Sequence, residues 1–367
     1  MEHYDVVVVG AGPGGSAAAR AAAMGGARTL LVDQRREIGH PVQCGEFLPA
    51  AEELVDLFDC RDVVQDAYQL PETALLREIR TMVCVSPSGR RFVFPLHGYT
   101  VSRRAFDKAL ALGAEGQGAE LRFPCGVTRV HGDTLDLAGG SSVQASVIIG
   151  ADGPLSTVAR GAGFSVEREM FRMITATSYG DLASEEIELH FGRVAPGGYA
   201  WVFPREGDAN VGLGVVDLPK GTTLGGLLDR FTDRLHLTRG EERTRWWVPI
   251  GPPPESAVRG QALLVGDAAN LVMATNGGGI PTAMISGYDA GVVAARHVRA
   301  GAPLADYDRS WKKHLYGPLA RAERIKRFGD HVIRSDLLLS VGMRYIGAGG
   351  LDAMMRLRWP ARLGRGS

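Results

Sequence analysis

The chain has 367 residues, 45% of them hydrophobic, and its 41 basic side chains are balanced by 41 acidic ones. That length can bury a large core as two unequal domains, and the balanced charge excludes a general attraction for nucleic acid. Four cysteines without a CxxC pair exclude a zinc site or disulfide framework and fit a reducing compartment, and no apolar run of ~18 residues spans a membrane.

Residues 5–33 read DVVVVGAGPGGSAAARAAAMGGARTLLVD. The run 4–9 predicts a strand buried on both faces and leaves no room for a signal peptide. Gly10, Gly12 and Gly15 (with Gly14 beside them) form G-x-G-x-x-G, and the Ala-rich stretch 16–24 predicts a helix. A second strand, 29–32, ends in Asp33. Glycines permit the tight turn and bring a pyrophosphate close to backbone N–H groups at the helix N-terminus, while the acid accepts from ribose hydroxyls. The order strand, glycines, helix, strand, acid defines a dinucleotide site, for NAD or FAD.

Further along, HPVQCGEF places Cys44 and Gly45 in a Gly/Pro-flanked loop, whereas Cys84 in TMVCVS reads as a buried strand cysteine. Val83 and Val85 are expected to face Phe92 and Phe94 across the turn Ser86-Pro87-Ser88-Gly89. Two short motifs follow apolar strands: VIIGADGPLSTVAR, with Asp152, Gly153, Ser156 and Arg160, and ALLVGDAAN, with Gly266 and Asp267. Ile187, Leu189 and Phe191 alternate with polar residues as in a half-buried strand. YAWVFPREGDANVGLG then carries Tyr199, Trp201, Phe203 and Pro204, with Gly212 and Gly214 after them. NGGGIPTAMISG runs from glycines into a predicted helix. From Ala320 onward Ile325, Phe328, Val332, Leu339, Val341 and Met343 give helical spacing among basic residues. Thirteen Lys or Arg against four acids from Arg309 onward fit either attraction to an anionic surface or a solvated helical tail.

Together the Asp-Gly and Gly-Asp motifs resemble the flavoprotein family that includes para-hydroxybenzoate hydroxylase, which implies FAD. VSRRAFDKAL supplies Arg103, matching the arginine that this family places near the flavin diphosphate, with Arg104 adjacent. HPVQCGEF, the YxWxFP…GxG pattern and NGGGIPTAMISG resemble the geranylgeranyl reductases, and the archaeal branch that saturates digeranylgeranylglycerophospholipids most of all. The implied fold is α/β: a Rossmann-type FAD-binding domain with an inserted, mostly antiparallel sheet and a helical C-terminal segment. The implied division is 1–65, 100–160 and 259–315 for FAD, 66–99 and 161–258 for substrate, and 316–367 for the helical segment, either capping a greasy tunnel or packing on the flavin domain.

The resemblance implies FAD contacts at Gly10, Gly12, Gly14, Gly15, Asp33, Cys44, Gly45, Phe47, Arg103, Val127, Asp267, Gly278, Gly279 and Ile280. It implies an isoprenoid contact at Tyr199 and Trp201, and Cys44 as the catalytic residue. The implied reaction reduces an isolated C=C bond, with hydride from the reduced flavin and a proton from Cys44, a loop water or a tyrosine. Ferredoxin, a reduced flavin carrier and NAD(P)H all remain open as electron donor, since no second G-x-G-x-x-G occurs. The expected location is cytoplasmic, with peripheral membrane contact through the basic C-terminal segment. Rival readings are a flavin monooxygenase of an aromatic or polyene, which only the first set of motifs supports, a flavin halogenase, and a non-catalytic prenyl-binding protein, against which the intact nucleotide motifs argue.

Overall fold

Val6 to Val8 are fully buried because β1 (Glu2–Val9) lies inside a sheet covered on both faces. The structure is a computed structural model that describes residues 1–58, 60–165, 169–180, 182 and 184–363. The first sheet runs in the order β15 (Val258–Arg259), β16 (Ala262–Leu264), β9 (Ser142–Gly150), β1, β2 (Thr29–Val32) and β6 (Glu120–Arg122). From β16 to β6 every pairing is parallel, and the hairpin β7 (Val127–His131)–β8 (Thr134–Leu137) joins it through β9. This is the expected Rossmann-type half.

Two helices close one face of that sheet, α1 (Pro13–Met24) and α7 (Ile280–Ala300), and they cross at very short range. A Cβ on Gly287 would lie 2.1 Å from the Gly14 carbonyl oxygen, and one on Gly291 would lie 2.2 Å from that of Ala18. Only hydrogen fits at either position, so these backbones touch as side-chain-bearing helices cannot. The contact puts the N-termini of both helices on one cavity. The remaining helices of this half are α2 (Ala51–Phe58), α3 (Arg61–Ala67), α4 (Arg103–Gly116), α5 (Thr157–Gly161) and α8 (Asp306–Trp311).

The second sheet is mostly antiparallel, with one parallel pair. Its order is β14 (Thr238–Pro249), β10 (Met170–Tyr179), β13 (Ala209–Val215), β12 (Tyr199–Pro204), β11 (Glu186–Phe191), β4 (Leu75–Val85), β5 (Arg91–Val101) and β3 (Phe47–Pro49). The edge strand β3 belongs here although it comes from the 1–65 stretch. One hairpin expectation is corrected. Val83 pairs with Val93 and Val85 with Arg91, so Cys84 and Met82, not the valines, stand opposite Phe92 and Phe94. The loop closes as Pro87-Ser88-Gly89, with Gly89 at φ +82, and this shifts the register by one residue relative to the expected pairing. Cys84 is fully buried, as read from its strand.

One face of this sheet carries α6 (Leu224–Arg234). The other gathers Ile79, Met82, Phe92, Phe94, Ile187 and Leu189 with Met343 and Leu351 of α10 (Asp336–Met355), which follows α9 (Gly317–Asp330). Thus α10, bent at Gly347 (φ 68), covers the second sheet instead of the flavin half. Arg365 of the basic tail lies outside the described residues.

Gly287→Ala is expected to force α1 and α7 apart. Overpacking of this kind costs about 1–3 kcal/mol, read as a lowered urea midpoint at unchanged m-value.

Candidate active site

A cavity of about 850 Å³ is walled by both sheets, near the upper end of the ~300–1,000 Å³ usual for ligand sites. Its first wall is the turn before α1. Gly10 turns the chain at φ +102, and a Cβ there would lie 2.4 Å from the Ala151 oxygen. A Cβ on Gly12 would meet nothing within 4 Å, because Gly12 faces the cavity, as does Gly14. Gly15 does something else: its Cβ would collide with the Gly10 carbonyl at 1.8 Å, so it seats the helix on the strand and stays off the cavity wall.

At the tip of β2, Asp33 accepts from the Ala11 N–H (2.7 Å) and from Arg35 (2.7 and 2.9 Å). Burial alone would raise its pKa, but the Arg35 guanidinium and the backbone N–H groups outweigh that and hold the carboxyl below its usual range. An ionised carboxylate is a pure acceptor, which is what ribose hydroxyls need. Arg35 also approaches the fully buried Asp107 at 4.0 Å, and Arg103 binds that same carboxylate through two 2.8 Å bonds. The signs therefore alternate along Asp33, Arg35, Asp107 and Arg103. Arg103 lines the cavity, whereas Arg104 points outward to Glu37. Val127, at the start of β7, also lines it.

Cys44 hangs over the same space. Its Sγ accepts the Glu46 N–H at 3.0 Å and lies beside Arg103. Burial pushes the thiol pKa up; the Arg103 charge pulls the other way without cancelling it. Gly45 is required by its neighbours, since a Cβ would lie 2.6 Å from the Phe203 ring and 3.3 Å from Trp201 Nε1. Phe47, which follows, packs edge-on to Phe203 and lines the cavity. Glu46 itself escaped the sequence reading. It is 2% exposed, sits at φ 67, and its carboxylate accepts from the Arg103 N–H, Arg205 and Asn210. The available sign was an acid placed between a glycine and a phenylalanine in an otherwise uncharged loop.

The signature strand β12 explains its own glycines. Trp201 pairs with Gly212 and Tyr199 with Gly214 across β12 and β13. A Cβ on Gly212 would sit 2.3 Å from the Trp201 ring, and one on Gly214 would sit 1.6 Å from the ring of Phe171. The glycines thus make room for large rings over the sheet. Tyr199 and Trp201 both line the cavity. The Tyr199 hydroxyl donates to the Asn276 carbonyl, and burial, with the Cys44 side chain nearby, raises its pKa so that it stays protonated.

Opposite stands the glycine turn before α7. The Gly277 N–H donates to the Met273 carbonyl and that of Gly278 to Asn276 Oδ1, while Gly279 and Ile280, whose N–H groups open the helix, line the cavity, where a helix N-terminus favours an anion. Asp267 lines the cavity, and a Cβ on Gly279 would lie 3.0 Å from its carboxylate. Asp152, absent from the expected contacts although its motif was noted, also lines it. One oxygen caps α5 through Thr157 and Val158, while buried Oδ1 meets no partner among the described residues. Two helix N-termini, an acceptor at Asp33, an unmatched carboxylate oxygen and open space at Gly12 together fit FAD.

The comparisons agree with that geometry. A profile for FAD dependent oxidoreductases matches residues 5–40, and one for the geranylgeranyl reductase catalytic domain matches residues 170–244. The class follows: this is an FAD-dependent oxidoreductase. The chain is 35% identical over 341 residues to the digeranylgeranylglycerophospholipid reductase of Methanocaldococcus jannaschii, covering 85% of this chain and 83% of that one. It belongs to the geranylgeranyl reductase family. A solved geranylgeranyl bacteriochlorophyll reductase-like protein from Thermoplasma acidophilum superposes with TM-score 0.84 at 26% identity, over 97% of this chain and 96% of the other. A flavin-dependent brominase, at TM-score 0.72 and 18% identity over 97% and 94% of the two chains, shares the fold.

Asp267→Ala is expected to loosen FAD more than it loosens the fold. Loss of a charge-assisted hydrogen bond costs about 1.5–3 kcal/mol, measurable as flavin lost on gel filtration while the melting temperature of the flavin-free protein stays level.

Proposed function

We propose that the protein reduces isolated C=C bonds in the geranylgeranyl chains of archaeal-type digeranylgeranylglycerophospholipids. The observation that carries this reading is one cavity with two contrasting linings: nucleotide-type turns on the side of the first sheet, and Met82, Phe94, Ile187, Leu189 and Met355 on the other. Residues 1–65, 100–160 and 259–315 hold the cofactor, 66–99 and 161–258 the prenyl chain, and 316–367 cover it.

FAD, held by Gly10, Gly12, Gly14, Asp33, Arg103, Asp152, Asp267, Gly279 and Ile280, supplies the hydride when bound. The chain's own residues do the rest. The apolar face of the second sheet orients the prenyl chain and excludes water, which matters because an isolated alkene has no carbonyl to polarise. Cys44 is the proton source that fits best: its raised pKa keeps the proton on sulfur at neutral pH, whereas the Tyr199 proton is already engaged by the Asn276 carbonyl. Electrons come from outside, from ferredoxin, a reduced flavin carrier or NAD(P)H.

We further place the protein in the cytoplasm, peripheral to the membrane. No helix among the described residues is long and apolar enough to cross a bilayer. On α10, however, Leu337 (73% exposed), Leu338, Val341 (58%) and Tyr345 face outward. The basic surplus nearby is smaller than composition implies, because Lys326, Arg327 and Arg356 are tied to carboxylates. Arg344 and Arg358 have no ion pair with a described residue and supply the attraction to anionic lipid, each worth about 1 kcal/mol near the surface.

Four outcomes test these readings. Lipid extracted with the purified protein should contain unsaturated or partly saturated prenyl glycerolipid beside FAD. Cys44→Ala and Cys44→Ser should keep FAD, fold, and accept electrons from an artificial donor, while lipid reduction drops substantially; wild-type lipid turnover in Cys44→Ala would remove the thiol from the reaction. In the wild type, lipid reduction should persist up to the ordinary thiol value of 9.0 and fall only above it, as the proton leaves sulfur. Binding to vesicles should strengthen with anionic lipid and weaken with salt; indifference to both would sink the membrane assignment.

A further inference from the structure

Asn210 lies on β13, is 3% exposed, and does not line the cavity, yet four bonds converge on its side chain. Its Nδ2 donates to the Cys44 carbonyl (2.9 Å) and to Glu46 Oε2 (3.0 Å). Its Oδ1 accepts from Trp201 Nε1 (2.9 Å) and the Thr175 hydroxyl (2.6 Å). The amide orientation is unambiguous, because an indole nitrogen only donates and a carbonyl only accepts. A single amide thereby connects the cysteine loop to the aromatic strand. The partners lie 166 residues apart in one direction and nine in the other.

The loop needs such a tie. Glu46 holds a backbone conformation disfavoured for a residue with a side chain. Its carboxylate, inside the fold, is matched by Arg205, by the Arg103 N–H and by Asn210. Removal of the amide leaves the Cys44 carbonyl and Trp201 N–H without their partner, and one acceptor bond of Glu46 unfilled.

We propose that Asn210 is a positioning residue, setting where the Cys44 thiol sits relative to Trp201. This deepens the function proposed above and rests on Cys44 serving there. The thiol is fixed from two sides: the Glu46 N–H holds its sulfur, and Asn210 holds its backbone. Trp201 is fixed by the same amide, so wall and thiol move together or not at all.

The test compares FAD-loaded wild type, Asn210→Ala, Trp201→Phe and the double variant. Iodoacetamide labelling of Cys44 is followed by peptide mass spectrometry, with half-buried Cys125 as internal reference. Each single variant should label Cys44 about tenfold faster, the effect of losing one or two buried hydrogen bonds, with Cys125 unchanged. The double variant should match Asn210→Ala, because both substitutions break one linkage. Turnover of digeranylgeranylglycerophospholipid should fall about tenfold in kcat with little change in KM. Trp201→Phe keeps an aromatic ring in place, so the linkage stays testable if Asn210→Ala does not fold. Unchanged Cys44 labelling in the folded variants, or additive effects in the double variant, would overturn the proposal. Faster labelling with unchanged kcat would uphold the positioning and instead remove Cys44 from the chemistry.

Discussion

Everything at the site depends on how closely α1 and α7 approach. Gly14 and Ala18 on one helix meet Gly287 and Gly291 on the other with no side chain between them. A helix N-terminus presents unsatisfied N–H groups and a partial positive charge. One such end makes an anion site; two on a single cavity, from turns more than 260 residues apart in the chain, make a site for a long anionic cofactor. The small-residue seam is therefore the condition for flavin binding as well as for packing. It also explains why Gly15 lies off the cavity wall: it holds α1 against β1, and so sets the angle at which Gly12 and Gly14 are offered.

The second sheet works by the reverse arrangement, with large rings placed against absent side chains. Trp201 lies over Gly212 and Phe171 over Gly214, so the aromatic groups pack flat on the strands and leave the cavity open. Tyr199 and Trp201 then extend in two directions, one to the glycine turn before α7 and the other, through Asn210, to the cysteine loop. What reads in the sequence as a wall for an isoprenoid is in the structure also a brace between the two loops flanking the cofactor site.

How much was legible follows from how local each cause is. The strand, glycine turn, helix and acid at the start of the chain were readable because their order and spacing lie within 29 consecutive residues, even though Gly10 and Gly14 do their work against Ala151 and Gly287. The exposure of Arg104 and the pairing of Arg103 with Asp107 were within reach, four residues apart on one helix. The β4–β5 register was missed because Ser86 and Arg90 pair inside the turn, shortening the loop to three residues. Asn210 and Arg205 left no sign and Glu46 only its odd setting, because the bonds that join them to one another and to the cysteine loop span more than 150 residues. The side of the molecule covered by α10 was equally unreadable: its spacing told of one apolar face, and only the tertiary fold chooses the sheet that receives it.

The chain leaves the first sheet after β2, returns after β5, leaves again after α5 and comes back after β14. Neither half is therefore a continuous segment, and the covering helix is added last from the far end. Recombination between relatives is constrained accordingly. A breakpoint inside 1–258 would mix strands of one parent with the sheet of another, whereas exchange after α9 would swap the covering helix without dividing either sheet, since Leu319 and Ala322 of α9 still pack in the core of the first half. The part of the cavity wall that this helix adds, Asp352 and Met355, can diverge by trading that final segment, while the part supplied by the second sheet has to change one residue at a time.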